Sequence, residues 1–198
     1  MKTKLLQGLL IGLVLFVASC QKDGVAPDIK VINKIEINGE KLPLNAAGFV
    51  DYSLKSFYGT APTHKNVDLY TINGSFTTNK TGNLLDINGK TAVYVELNSP
   101  NLDYLEPGTY TYINSSEDNG LSNADLNVKY AGKYFISNGY VINSTESPSL
   151  LTYSENIGVS SGTVKVSGTK PNFLISYDLV LQNGQTLKGN YAGIFQNL

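Results

Sequence analysis

Six asparagines in this chain are followed directly by glycine: Asn38-Gly39, Asn73-Gly74, Asn88-Gly89, Asn119-Gly120, Asn138-Gly139 and Asn183-Gly184. Both residues tolerate the positive φ of a type I′ turn, whose twist matches that of paired strands. Asn-Gly between alternating apolar residues is therefore the strongest short-range signal for a β-hairpin. A chain punctuated this often is cut into antiparallel strands, which leaves little room for long helices.

Register tests each turn. A two-residue loop at Asn38-Gly39 pairs Ile37 with Glu40, Ile35 with Leu42 and Asn33 with Leu44, so that Ile35, Ile37, Leu42 and Leu44 share one face. At Asn183-Gly184 a two-residue loop scatters the apolar residues between faces. A three-residue loop, Gln182-Asn183-Gly184, instead pairs Leu179 with Leu187, Tyr177 with Gly189, Ile175 with Tyr191 and Phe173 with Gly193. That register predicts a type I turn followed by a G1 bulge, with Gly184 left-handed.

Further period-two runs are Phe49 to Tyr58, Val67 to Phe76, Leu84 to Ile87, Thr91 to Leu97, Thr109 to Ile113, Lys133 to Ser137, Tyr140 to Asn143 and Gly162 to Ser167. Ser122-Asn123-Ala124-Asp125 has capping-box spacing and predicts one or two turns of helix. The expected fold is all-β: an antiparallel β-sandwich of about ten strands rich in hairpins, with a closed lipocalin-like β-barrel as the alternative.

Composition narrows the chemistry. All fifteen basic residues are lysine, and sixteen acids leave a formal charge of −1, so there is neither an arginine fork for phosphate nor a basic surplus for nucleic acid. One histidine, one cysteine and no tryptophan leave no basis for a His/Cys zinc centre, a bis-histidine haem or a tryptophan-lined sugar groove. No cofactor and no metal are expected.

The N-terminus carries an address. Met1-Lys2-Thr3-Lys4 is a short positive region, and Leu5 to Val17 is an apolar run shorter than the roughly 20 residues that span a bilayer. Val17-Ala18-Ser19-Cys20 closes it and resembles the bacterial lipobox, which implies cleavage before Cys20, a diacylglyceryl group on its thiol and acylation of the new α-amine. Two or more acyl chains make a stable anchor where one is marginal. Gln21-Lys22-Asp23 resembles the surface-export signal of Bacteroidota-type lipoproteins. The boundaries expected are 1–19 for the signal peptide, 20–30 for the lipidated cysteine and tether, and 31–198 for a single all-β domain. With Lys2 and Lys4 removed, thirteen lysines face sixteen acids.

The C-terminal pattern Gly162-Thr163-Val164-Lys165-Val166, Phe173 to Leu181, Asn183-Gly184 and Leu187 to Gly193 looks like the closing strands of small all-β Bacteroidota-type lipoproteins. Ile35-Glu36-Ile37-Asn38-Gly39 and Leu105-Glu106-Pro107-Gly108-Thr109-Tyr110 agree with it. The resemblance implies a lipid-anchored β-domain and hands over no catalytic residues.

Gly158-Val159-Ser160-Ser161-Gly162 has the G-x-S-x-G spacing of a nucleophile elbow, but the sequence continues as a strand and His64 comes first in chain order, so it reads as a loop entering a strand. His64, in Ala61-Pro62-Thr63-His64-Lys65-Asn66, reads as a solvated loop residue. The oxygen-rich stretch from Asn114 to Asp125 does not fit the EF-hand frame and reads as a solvated turn. Tyr104, Tyr110 and Tyr112, beside Glu117, Asp118 and Asn119, are the candidate binding set, because aromatic faces and short polar side chains together suit a sugar or a peptide.

These readings lead to one expectation, a lipid-anchored outer-membrane protein held by Cys20 and displayed on the cell surface, or alternatively on the periplasmic leaflet. It acts as a non-enzymatic binding module for an extracellular glycan, peptide or protein. The alternatives are a lipocalin-like carrier of a small apolar ligand and a structural partner in an envelope complex.

Overall fold

Among the described residues alternation becomes ten strands. In chain order they are β1 (Lys34–Ile37), β2 (Glu40–Pro43), β3 (Ala46–Lys55), β4 (His64–Thr78), β5 (Leu84–Ser99), β6 (Gly108–Tyr112), β7 (Phe135–Asn143), β8 (Ile157–Thr169), β9 (Asn172–Leu181) and β10 (Thr186–Asn197). A 3₁₀ turn (Ser115–Asp118) and α1 (Asn123–Tyr130) lie between β6 and β7. This computed structural model describes residues 30–55, 63–146, 149 and 155–198. Cys20, the signal peptide and the tether to residue 29 lie outside the described residues, as does the end of the expected strand at Tyr58.

Both registers deduced from turn chemistry are present. Ile37 pairs with Glu40 and Ile35 with Leu42 across Asn38 and Gly39, which take φ of 49° and 89°. In the last hairpin Leu179 pairs with Leu187, Tyr177 with Gly189, Ile175 with Tyr191 and Phe173 with Gly193. Gly184 takes φ 82° and its N–H donates to Leu181 O at 2.9 Å, closing the type I turn. The capping box is formed as well, with Ser122 and Asp125 exchanging hydrogen bonds at the start of the eight-residue α1.

Three other Asn-Gly pairs are not turns. Asn73-Gly74 sits within β4, Asn88-Gly89 within β5 and Asn138-Gly139 within β7. Long strands must bend to wrap a core, and glycine permits the bend where backbones crowd. The β4–β5 turn is made instead by Asn79 to Asn83, where Asn79 Oδ1 accepts from the N–H groups of Thr81 and Asn83, both at 2.9 Å. Two runs read as separate strands, Leu84 to Ile87 and Thr91 to Leu97, therefore form one strand, and so do the two runs within β7.

The sheet closes on itself. β10, β3, β4, β5, β7, β8 and β9 follow one another, and β9 returns to β10. The all-β fold of ten strands thus takes the closed-barrel form, the alternative to two stacked sheets. Closure is assisted at two seams. β7 and β8 pair directly at Tyr140–Gly158 and Val141–Ile157, then separate, and β6 enters between them, parallel to β7 and antiparallel to β8. β10 meets β3 in parallel only at Phe195–Asn197, and β1 pairs along the same edge at Leu187–Asn190.

The barrel is packed, not hollow. Ile35, Phe49, Leu69, Val95, Ile136, Val164, Ile175, Leu179 and Phe195 belong to one buried cluster, to which the β1–β2 hairpin adds Ile37, Leu42 and Leu44. Within it Thr71 Oγ1 and Tyr177 OH meet at 2.9 Å, which lets two hydroxyls lie buried together. On the opposite face of β4, β5 and β7, Tyr70, Tyr94 and Tyr140 stack side by side with centroids 5.1 and 4.6 Å apart. Tyr94 donates to Asp68 at 2.9 Å.

Candidate functional site

One end of the barrel is occupied by the β1–β2 hairpin, whose Ile37, Leu42 and Leu44 join the core, and at the other end described residues line a cavity. Alternation along β3 points Phe49 and Asp51 to the inside, and Val67 of β4 stands opposite Asp51. The tight β8–β9 turn brings Thr169, Lys170 and Phe173 to the same end. The connection from β5 to β6 contributes Asp103, Tyr104 and Leu105. Together these described residues line a cavity of about 310 Å³. That volume lies at the lower end of ligand-binding cavities, and a mostly apolar wall with a few polar groups is the usual composition of such sites.

The wall formed by the β5–β6 connection is held in place by local chemistry. Asn101 Oδ1 accepts from the N–H groups of Asp103 and Tyr104 at 2.9 and 3.3 Å, which presents Tyr104, 53% exposed, at the rim. Glu106 then fastens the chain. Its N–H donates to Ser99 Oγ at 3.3 Å, its carbonyl accepts from Tyr110 OH at 2.6 Å, and its carboxylate accepts from Tyr134 OH at 2.8 Å. That last hydrogen bond, assisted by burial and by the charge of Glu106, raises the Tyr134 phenol above its ordinary range.

Charge at the mouth is arranged in two ways. Lys65 Nζ and Asp51 Oδ1 form an ion pair at 2.8 Å, with the lysine side chain 11% exposed. Lys170 Nζ stands 4.5 Å from the centroid of the Phe49 ring, a cation–π contact.

The residues singled out from sequence separate into different environments. Tyr104 lines the cavity at the barrel mouth. Tyr110 is fully buried in the barrel core, and burial raises its phenol, so it holds the wall rather than touching a ligand. Tyr112 and Glu117 line a separate, wider cleft of about 610 Å³ outside the barrel where β6 leaves the sheet, together with Lys129, Lys133 and Tyr134. Asp118 is buried at 8% exposure and belongs to the scaffold. It accepts from Lys129 Nζ at 2.5 Å and Tyr130 OH at 2.8 Å. Burial acts to raise the Asp118 carboxyl, but the hydrogen bonds from Lys129 and Tyr130 outweigh it and hold it below the ordinary range. The same environment, burial first and Asp118 second, pushes Tyr130 up to about 12. Asn119 is exposed, and its N–H closes the 3₁₀ turn on Ser116 O.

Three side chains of the oxygen-rich stretch are engaged within the chain. Asn114 caps the 3₁₀ turn through Ser116, Asp118 is held as described, and Asp125 closes the capping box. Among the described residues no group of three or more His, Cys, Asp or Glu side chains could hold a metal ion.

His64 and Ser160 also lie in strands. His64 starts β4 and is 1% exposed, edge-on to Phe135 at 4.9 Å, which corrects the loop assignment. Its Nε2 faces Lys133 O at 3.2 Å and therefore carries the proton, leaving Nδ1 to accept from Thr63 Oγ1 at 3.0 Å. Ser160 sits within β8, at a bulge between Val159 and Ser161, and donates to Val180 O at 3.1 Å. The strand–turn–helix of a nucleophile elbow is not formed there.

Sequence reasoning missed Phe49, Val67, Lys170 and Phe173 as neighbours. Their inward alternation is legible in the sequence, but nothing local says that they reach the same end of a closed barrel. No family model, no curated protein and no solved structure matches the chain. Among the described residues no helix is long and apolar enough to cross a membrane.

Proposed function

We propose that this protein is a lipid-anchored binding module of the cell envelope whose ligand is held in the cavity lined at the β8–β9 turn end of the barrel. The observation that carries this reading is the cavity itself. Phe49, Val67, Leu105 and Phe173 offer an apolar floor at a place where a closed barrel ordinarily continues its packing, and Tyr104 stands exposed beside it. Burying apolar ligand surface there stabilises a complex by about 25 cal/mol per Å² before the costs of association. The barrel interior below is filled by side chains, so the ligand is held at the mouth and not enclosed within the barrel.

The reading is a non-enzymatic one. The serine of the G-x-S-x-G spacing lies in a strand, and the buried His64 is engaged with Lys133 and Thr63, so the parts of a nucleophilic site are not assembled. The anchor is Cys20, supported by the lipobox resemblance, and the Gln21-Lys22-Asp23 start favours display outside the cell.

Two measurements test the two halves. Membrane fractionation with a Cys20→Ala form should move the protein from the membrane to the soluble fraction, and protease treatment of intact cells should digest the anchored protein. Calorimetric titration of the mature chain with a short-chain alcohol should show saturable binding that an added bulky side chain, Leu105→Trp, weakens. Absence of saturable binding to any apolar or amphipathic probe would remove the cavity as the site.

A further inference from the structure

Resting on that reading of the barrel mouth, we infer that its ligand is an amphipathic anion: an apolar chain seated on Phe49, Val67 and Phe173, with a carboxylate or similar head group received by Lys170. Among the described residues at this end, Lys170 is the lysine that lines the cavity with no carboxylate partner. Lys65 is already paired with Asp51 at 2.8 Å and is largely buried in that pair. Lys170 Nζ instead rests over the Phe49 ring at 4.5 Å.

This placement suits head-group recognition. Lys170 lines the cavity with its ammonium over the Phe49 ring, and a long amphipathic side chain of this kind can swing its charged tip toward a head group while its stem stays on apolar surface. Lysine is a compact point charge on a flexible stem, so it can follow a head group without the fixed geometry of an arginine fork. The ring contact holds the cation near the cavity in the free protein, which lowers the ordering cost of binding.

Two carboxylates share the lining and set the competing expectation. Asp51 is neutralised by Lys65. Asp103 sits on the exposed Asx turn, where water screens its charge over short distances. With Lys65 counted beside Asp51 the charges here sum to zero, so the preference for an anion comes from the placement of Lys170 in the cavity, and Asp103 acts as a brake on it.

The test uses the mature chain from residue 20 carrying Cys20→Ala, titrated with decanol, decanoate and decylamine below their aggregation concentrations at neutral pH. Decanol reads the apolar floor alone, and the difference between decanoate and decanol reads the head group. Decanoate should bind about two- to fivefold more tightly than decanol, the size of effect expected from one partly exposed ion pair. Lys170→Gln should abolish that difference, read as the ratio of decanoate to decanol affinity within the same variant, and Asp103→Asn should increase it. Saturable decanol binding with decanoate equal or weaker, or with decylamine the tightest, overturns the head-group inference and leaves the binding site standing. Failure of all three probes overturns the inference together with the proposed function.

Discussion

Gly74 and Gly89 face each other across β4 and β5 with almost no space between their backbones. A Cβ on Gly74 would lie 2.1 Å from Asn88 O, and one on Gly89 would lie 2.5 Å from Asn73 O. Both contacts are with backbone, which cannot swing aside. The pairing skips a residue here, from Asn73 opposite Thr91 to Gly74 opposite Gly89, so the crowding marks a bulge where the long hairpin bends. Gly74→Ala or Gly89→Ala should each destabilise the fold by about 1–3 kcal/mol, the usual cost of overpacking. Urea denaturation of each variant measures it, and a change below a few tenths of a kcal/mol would contradict the bend.

The hydroxyl pair inside the barrel predicts non-additivity. Tyr177→Phe leaves Thr71 Oγ1 buried without its partner, and Thr71→Val does the same to Tyr177 OH, so each should cost about 1–3 kcal/mol. The double variant removes both polar groups together and should cost clearly less than the sum. A double-mutant cycle in urea reads the coupling, and additive costs would mean that the hydroxyls do not serve each other.

His64 is the chain's one histidine, so stability between about pH 5 and 7 reports on it directly. Burial lowers its pKa, against the raising effect of its backbone hydrogen bonds. The folded state therefore holds the neutral ring, and the unfolded chain binds the proton more readily. Stability should be at its full value above the unfolded pKa of about 6.5 and fall as pH drops toward the lower folded value. His64→Gln should flatten that slope, measured as melting temperature against pH. A slope that is unchanged in the variant would assign the acid sensitivity elsewhere.

Tyr104 separates binding from folding. Its side chain is mostly exposed, and the turn beneath it is fixed by Asn101. Tyr104→Ala should shift stability by no more than about 0.5 kcal/mol, as expected for an exposed side chain, while weakening binding of an apolar probe about threefold or more. Tyr110→Ala should do the reverse, destabilising the barrel by about 3–5 kcal/mol, because its fully buried ring fills the core. Thermal melts and titrations on the two variants check the division. Equal loss of binding at equal loss of stability would deny Tyr104 a place at the site.

The amino-acid sequence alone determined what is local. Asn38-Gly39 and Gln182-Asn183-Gly184 set the register of their hairpins through backbone torsions that few residues accept, and Ser122 with Asp125 set the start of α1 through hydrogen bonds within one turn. Inward alternation along the strands likewise named most of the core. Other properties were decided by distant parts of the chain. Asn73-Gly74, Asn88-Gly89 and Asn138-Gly139 carry the same turn chemistry, yet they lie within strands, because pairing on both sides and the curvature of a closed sheet outweigh a local preference worth little by itself. His64 became a strand residue because it pairs with Lys55 of β3, and it is buried because Phe135 packs on it and the Lys133 carbonyl meets its ring. Tyr104, Tyr110 and Tyr112, neighbours in sequence, were divided among a rim, a core and an outer cleft when β6 entered the seam between β7 and β8. The cavity belongs to this second class as well. Phe49, Val67, Lys170 and Phe173 meet only when the sheet closes, since closure is a sum of pairings between residues far apart along the chain, and no short segment encodes it.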